Sequence, residues 1–121
     1  MQALVKRAKS FLKSEDGPTA TEYAVMLAVV RLGDEAYGVP IRELIEARTG
    51  RPVARGALYT GLERLEAKGC LRSRMGDPTP ERGGRARRYF TATPLGLRAL
   101  RSTHAALSNL SKGLEAILEQ P

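Results

Sequence analysis

The sequence predicts a mainly α-helical fold of the α+β class with one two-stranded β-hairpin, and three observations predict it. Two stretches with apolar residues at helical spacing, Val39 to Ile45 and Leu58 to Leu65, are joined by the short turn Thr49 to Val53. Two alternating stretches, Cys70 to Met75 and Arg87 to Thr93, flank a loop rich in glycine, proline and arginine. In the last segment leucines recur seven apart, at Leu100, Leu107 and Leu114.

In chain order, Met1 to Lys13 places Leu4, Val5, Ala8, Phe11 and Leu12 on one face, with Lys6, Arg7, Lys9 and Lys13 around the rest. That pattern predicts a short amphipathic helix, which Ser14 to Gly17 breaks. Pro18 opens a second helix, about Thr21 to Leu32, with Thr19 or Thr21 as its cap, and its apolar residues on most sides predict burial. Gly33, Asp34 and Glu35 make a turn. Val39, Ile41, Leu44 and Ile45 then form the apolar face of a helix that Gly50 and Pro52 close. From Ala54 to Lys68 the leucines at 58, 62 and 65 mark another helix, and Gly69 stops it. Two helices joined by a short turn are a helix-turn-helix; followed by a hairpin with a basic loop, Gly76 to Gly84, they make a winged helix-turn-helix. Pro94 then starts a long helix to about Glu119, in which Thr103, Leu110 and Ile117 interleave with the seven-residue leucine register. Such a seam either folds back on its own core or meets a partner; dimerisation is expected, because the seam outruns a small winged helix. The chain thus divides into an N-terminal helix and turn (1–17), a winged-helix body (18–93) and a C-terminal dimerisation helix (94–121).

With 121 residues, 42% of them hydrophobic, the chain can build one modest core, and a second globular domain is not expected. Its one cysteine, Cys70, and one histidine, His104, allow no intramolecular disulfide and no cysteine and histidine cluster for zinc. Cys70 reads as a small buried apolar residue and His104 as a surface one. No nucleophile is paired with a base, no phosphate-cradling glycine run follows a strand, and no acidic cluster has metal spacing. An enzyme is therefore not expected, and neither a metal nor another cofactor is implied. A reducing, cytoplasmic setting fits the cysteine count. The longest apolar run, Ala24 to Val30, falls far short of the roughly 20 residues of a membrane span, so no membrane association is expected.

The formal net charge is +7. Residues 1–50 hold seven basic and seven acidic residues, residues 51–90 hold ten and four, and residues 91–121 hold three and two. The surplus is concentrated on the second helix of the helix-turn-helix and on the wing, where contacts to phosphates would need it. Double-stranded DNA is the expected partner. A winged helix used only for protein contact remains the alternative, and salt-dependent duplex binding separates the two.

Three blocks resemble the PadR family of transcriptional regulators over about residues 22–117. They are Leu32, Gly33, Asp34, Glu35, Ala36, Tyr37 and Gly38; Gly56, Ala57, Leu58 and Tyr59 with Leu62, Arg64, Leu65, Glu66, Gly69 and Leu71; and Arg87, Arg88, Tyr89, Phe90, Thr91, Thr93 and Gly96. The resemblance implies a dimeric winged-helix repressor whose C-terminal helix supplies the interface and whose small-molecule effectors vary among members. Thr60 and Gly61 depart from the family pattern, which often has proline and a small or polar residue there, as does Ala92, where leucine is common. Gly61 inside a helix costs about 1 kcal/mol relative to alanine, and a close approach to DNA or to a neighbouring helix would account for it.

A second resemblance covers only about residues 1–27. Phe11, Leu12 and Lys13, then Glu15, Asp16 and Gly17, then Thr19 to Ala24 look like a Flp-type pilin precursor, in which cleavage follows the glycine and a glutamate and tyrosine, here Glu22 and Tyr23, stand fifth and sixth in the mature chain. A pilin-like component is thus a further alternative, although Arg31, Asp34 and Glu35 interrupt the long apolar helix it would need.

In the regulator reading, helix Ala54 to Lys68 enters the major groove with Arg55, Tyr59 and Thr60 facing DNA, and Arg82, Arg85 and Arg87 of the wing grip the backbone. Arg51 and Arg64 complete the candidate DNA-binding set. Arg55 is the best candidate to read a base, with a phosphate contact or a solvated charge as the alternative for every arginine, and Tyr59 is either DNA-facing or core. Leu100, Leu107, Leu110, Leu114 and Ile117 are the candidate dimer interface.

Overall fold

The structure, a computed structural model, describes residues 19–77 and 86–121. The expected N-terminal amphipathic helix, the loop residues Arg82 and Arg85, and the pilin-like residues before Thr19 lie outside these. Helix α1 (Ala20–Leu32) starts where Thr19 closes a capping box. The Thr19 hydroxyl accepts from the Glu22 N–H at 3.0 Å, and the Glu22 carboxylate accepts from the Thr19 N–H at 3.4 Å. That reciprocal pair selects Thr19 over Thr21 as the cap. Val25, Met26, Ala28 and Val29 are buried, whereas Leu27 and Val30, expected inside, are each 45% exposed. A 3₁₀ turn (Gly33–Glu35) follows, and the Ala36 carbonyl accepts from the Phe90 N–H at 2.8 Å, laying this segment beside the hairpin.

Helix α2 (Gly38–Thr49) buries Ile41 and Ile45. Pro40 sits in its first turn, where a missing N–H costs nothing, and Gly50 ends it in the left-handed region at φ 72°. Val39, expected on the apolar face, points outward at 55% exposure. Helix α3 (Arg55–Ala67) has Leu58, Leu62 and Leu65 fully buried, and Gly69 reverses the chain after it at φ 81°.

Strands β1 (Leu71–Met75) and β2 (Arg88–Ala92) form an antiparallel pair with Leu71 opposite Ala92 and Met75 opposite Arg88. Each is shorter than its alternating stretch, and two of the flanking residues, Cys70 and Thr93, bond helices instead. The Cys70 N–H donates to Leu65 O at 2.8 Å, and the Thr93 hydroxyl caps helix α4 (Pro94–Ser111) by accepting from the Gly96 N–H at 3.0 Å. Leu71 and Phe90 of the hairpin join α1, α2 and α3 in one core, which Ala99 of α4 closes. Cys70 is buried in it, and burial pushes its thiol pKa up, so the group stays neutral.

The C-terminal expectation needs correction. Instead of one helix to Glu119, α4 ends at Ser111, Gly113 takes φ 93°, and a short helix α5 (Glu115–Leu118) follows. A glycine there lets the chain leave the helix without steric cost, and a heptad count of apolar residues is blind to that. The first half of the segment also belongs to the body: Leu95, Ala99 and Thr103 are buried and Leu100 packs against the core. Leu100 is therefore partly covered by its own chain. Leu107, Leu110, Leu114 and Ile117 are 45–78% exposed.

Candidate nucleic-acid interface

The turn that carries α3 is braced from α2. Thr49 Oγ1 donates to Ile45 O at 2.7 Å and accepts from the Arg51 N–H at 3.1 Å, while Arg42 Nε donates to Val53 O at 3.2 Å. Held this way, α3 sets its three leucines into the core and turns Arg55, Gly56, Ala57, Tyr59 and Thr60 outward. The outward residues at 56, 57 and 60 are small, so this end of the helix can come close to a groove floor. Arg55 stands at the helix entrance, its guanidinium carbon 5.7 Å from the Tyr59 ring centre. Arg51 is exposed in the turn beside it.

Tyr59 is not a core residue, although it packs along one edge. It is 37% exposed, and its ring tip rests on Gly38 at the start of α2. A Cβ at Gly38 would stand 3.1 Å from Tyr59 Cζ and nearer still to the hydroxyl, so the glycine makes room for the ring. Gly61 is buried and faces Glu22 of α1, so it does not lie on the outward face of α3, and since an added Cβ would stand 4.0 Å from Glu22 Cγ, the approach to α1 does not itself require a glycine.

Arg64 lies toward the same neighbour. Its Nε is 3.3 Å from the carboxylate of buried Glu22, and Lys68 Nζ is 3.6 Å from the other oxygen. The carboxylate that caps α1 thus also ties α1 to α3, which explains why a glutamate is tolerated at 2% exposure. In the described part of the pilin-like motif, then, Glu22 is a buried bracket, and Tyr23 stands 3.4 Å from exposed His104. Among the described residues no helix is long and apolar enough to cross a membrane, and no group of acidic, histidine and cysteine side chains could hold a metal.

At the root of the wing the structure brings together residues that periodicity could not. Glu66 of α3 accepts from Ser73 of β1 at 2.6 Å and pairs with Arg88 of β2, fixing the hairpin to α3. On the opposite face of the hairpin, Arg74 and Tyr89 are cross-strand partners. Tyr37, just before α2, meets Tyr89 edge to face at 5.4 Å, and Arg87 lies over Tyr37. Of these, the sequence places Arg87 at the interface and gives no such role to Arg74, Tyr37 or Tyr89. The one signal available is that Arg72 and Arg74 stand two apart in the first strand, as Arg87 and Tyr89 do at the start of the second.

A helix-turn-helix with a basic outward face, flanked by a two-stranded arginine-bearing wing, defines a winged-helix DNA-binding protein. Residues 26–102 match the model of the transcriptional regulator PadR-like family, and the chain belongs to that family. It is 44% identical over 81 residues to the Mycobacterium tuberculosis transcriptional regulator Rv3488, an alignment covering 65% of this chain and 69% of that protein. The fold is similar to a PadR family transcriptional regulator from Eggerthella lenta, with a TM-score of 0.62 at 28% identity over 99% of this chain and 91% of that one. It is also similar to a transcriptional regulator from Clostridium thermocellum, with a TM-score of 0.67 at 22% identity over 81% and 89%. These matches bear out the first resemblance and lend no support to the second.

Proposed function

We propose that this PadR-family regulator is a cytoplasmic, effector-responsive repressor that grips its operator as a homodimer. In this reading Arg55, Tyr59 and Thr60 face the major groove, with Arg51 and the wing arginines Arg82, Arg85 and Arg87 on the flanking phosphates. The observation that carries the reading is the outward end of α3, where Arg55 stands beside Gly56, Ala57 and Thr60, side chains small enough to seat the helix deeply. Arg64 is assigned to holding α3 on α1 through Glu22.

Dimerisation rests on the exposed apolar set at Leu107, Leu110, Leu114 and Ile117, which a soluble monomer would leave in water. Leu107, Leu110 and Leu114 of that set also line a groove with Tyr23 and His104, so an effector seated there would bear directly on how two chains meet.

The test separates reading from gripping. Arg55→Ala is expected to cost about 1–3 kcal/mol on the native operator and to relax preference at one base position. Arg87→Ala is expected to weaken operator and scrambled duplex alike and to lower the salt slope by about one unit per bound chain. Binding of each variant to both duplexes would be measured at several salt concentrations. Equal weakening of both duplexes by Arg55→Ala, with operator-only loss in Arg87→Ala, would reverse the two roles; no change in either would place the DNA-facing surface elsewhere.

A further inference from the structure

Four side chains at the root of the wing alternate in space as cation, ring, ring, cation. Arg74 Cζ lies 4.5 Å from the Tyr89 ring centre, the Tyr89 and Tyr37 centres are 5.4 Å apart at an interplanar angle of 65°, and Arg87 Cζ lies 4.3 Å from the Tyr37 ring centre. The tyrosines are half-buried and Arg74 is exposed. The Tyr89 ring also lies against Gly76, where an added Cβ would be 2.6 Å from Cε2. Both rings are anchored by backbone: Tyr89 is paired within the hairpin, and the Phe90 N–H bonds Ala36, the neighbour of Tyr37.

A guanidinium stacked on a ring keeps its N–H edges free, because the attraction uses its face. Long side chains otherwise lose rotamer freedom when they bind, at a cost in affinity. Stacking meets part of that cost before DNA arrives. Neither arginine has a carboxylate partner among the ion pairs of the described residues, unlike Arg64 and Arg88. Two positive charges are thus held in fixed positions on the face of the hairpin that turns away from the core.

We propose that Arg74 is a DNA-phosphate contact paired with Arg87, and that Tyr89 and Tyr37 are positioning residues that hold the two guanidiniums ready. This rests on the DNA-binding reading above and deepens it, adding one contact residue and the reason the wing root is aromatic. The stack is sequence-blind, so its contribution is the same for any duplex.

The experiment measures binding of the full-length chain to operator and scrambled duplexes across a salt series, with thermal unfolding of each variant alongside. Arg74→Ala removes an exposed side chain and is expected to weaken both duplexes about tenfold near 0.1 M salt, with the salt slope lowered by about one unit per bound chain. Tyr89→Leu is expected to weaken both about two- to fivefold with the slope unchanged, since the charge remains and only its ordering is lost. Tyr89→Phe, which keeps the ring face, restores binding. A wild-type affinity and slope for Arg74→Ala would overturn the assignment, and Tyr89→Phe weakening as much as Tyr89→Leu would overturn the stacking role. If Tyr89→Leu fails to fold, the Arg74→Ala slope still decides the phosphate contact and the Tyr89→Phe affinity still decides the stacking role. Absence of salt-dependent binding by the wild-type chain would instead sink the DNA-binding reading itself.

Discussion

The body of the molecule and its C-terminal end carry the same kind of pattern and meet opposite fates. In α3 the leucines at 58, 62 and 65 are at 0% exposure; after Thr103 the leucines at 107, 110 and 114 are at 45–78%. Leucine spacing is helical in both. The difference is what lies opposite: α3 faces α1, α2 and the hairpin, whereas the end of α4 has run past the body it packs on. A heptad pattern therefore says that a face wants covering and says nothing about whether the cover comes from the same chain.

The largest expected effect breaks the comparison at its weak end. Leu110→Glu with Leu114→Glu places charge on the exposed apolar set, where burying each leucine in a partner contributes about 1.5–3 kcal/mol. Sedimentation should show monomers, or the protein should become insoluble, while any soluble monomer keeps the cooperative unfolding of the body, whose core includes neither leucine. An unchanged dimer would move the interface elsewhere, and a lost body would mean that the two regions are one unit.

How much of this was legible follows from the range of each signal. The helix-turn-helix and hairpin came through because their cues are local: Gly50 and Gly69 mark helix ends, and the three leucines of α3 mark its inner face. The break at Gly113 was missed because the apolar count continues across it to Leu114 and Ile117. The inner bracket of Glu22 with Arg64 and Lys68 joins residues more than forty apart, as does the pairing of Tyr37 with Tyr89. Spacing along the chain carries no term for such contacts. The outward placement of Arg55 and Thr60 is legible because a helix sets them opposite the leucines, whereas a strand arginine such as Arg74 looks the same in sequence whether solvated or stacked.

A middle-sized effect probes the strong end. Gly96 sits in the first turn of α4, and a Cβ there would stand 2.8 Å from the carbonyl carbon of Cys70 and closer to its oxygen. That oxygen already accepts from the Thr93 N–H at 3.0 Å, and the neighbouring Cys70 N–H is bonded to Leu65 O, so the backbone has little freedom to yield. Gly96→Ala should therefore destabilise the body by about 1–3 kcal/mol, seen as a lower denaturation midpoint with an unchanged slope. A neutral result would mean that α4 is loosely docked and belongs with the uncovered end.

The smallest effect has the opposite sign and asks whether the body is filled everywhere. Gly61 is also a buried helical glycine, yet a Cβ there would meet only Glu22 Cγ, at 4.0 Å, which is ordinary contact. The methyl would fill space without pushing on backbone, and alanine restricts the unfolded chain more than glycine does. In a helix interior the exchange is worth up to about 1 kcal/mol. Gly61→Ala should thus raise the unfolding midpoint slightly and leave duplex affinity unchanged, because residue 61 faces α1 and not the groove. Lost stability would show that Glu22, held by Thr19, Arg64 and Lys68, cannot give by even a few tenths of an ångström. Lost DNA binding with stability intact would show instead that α3 must shift against α1 when it docks, which would make Gly61 the glycine on which that movement depends.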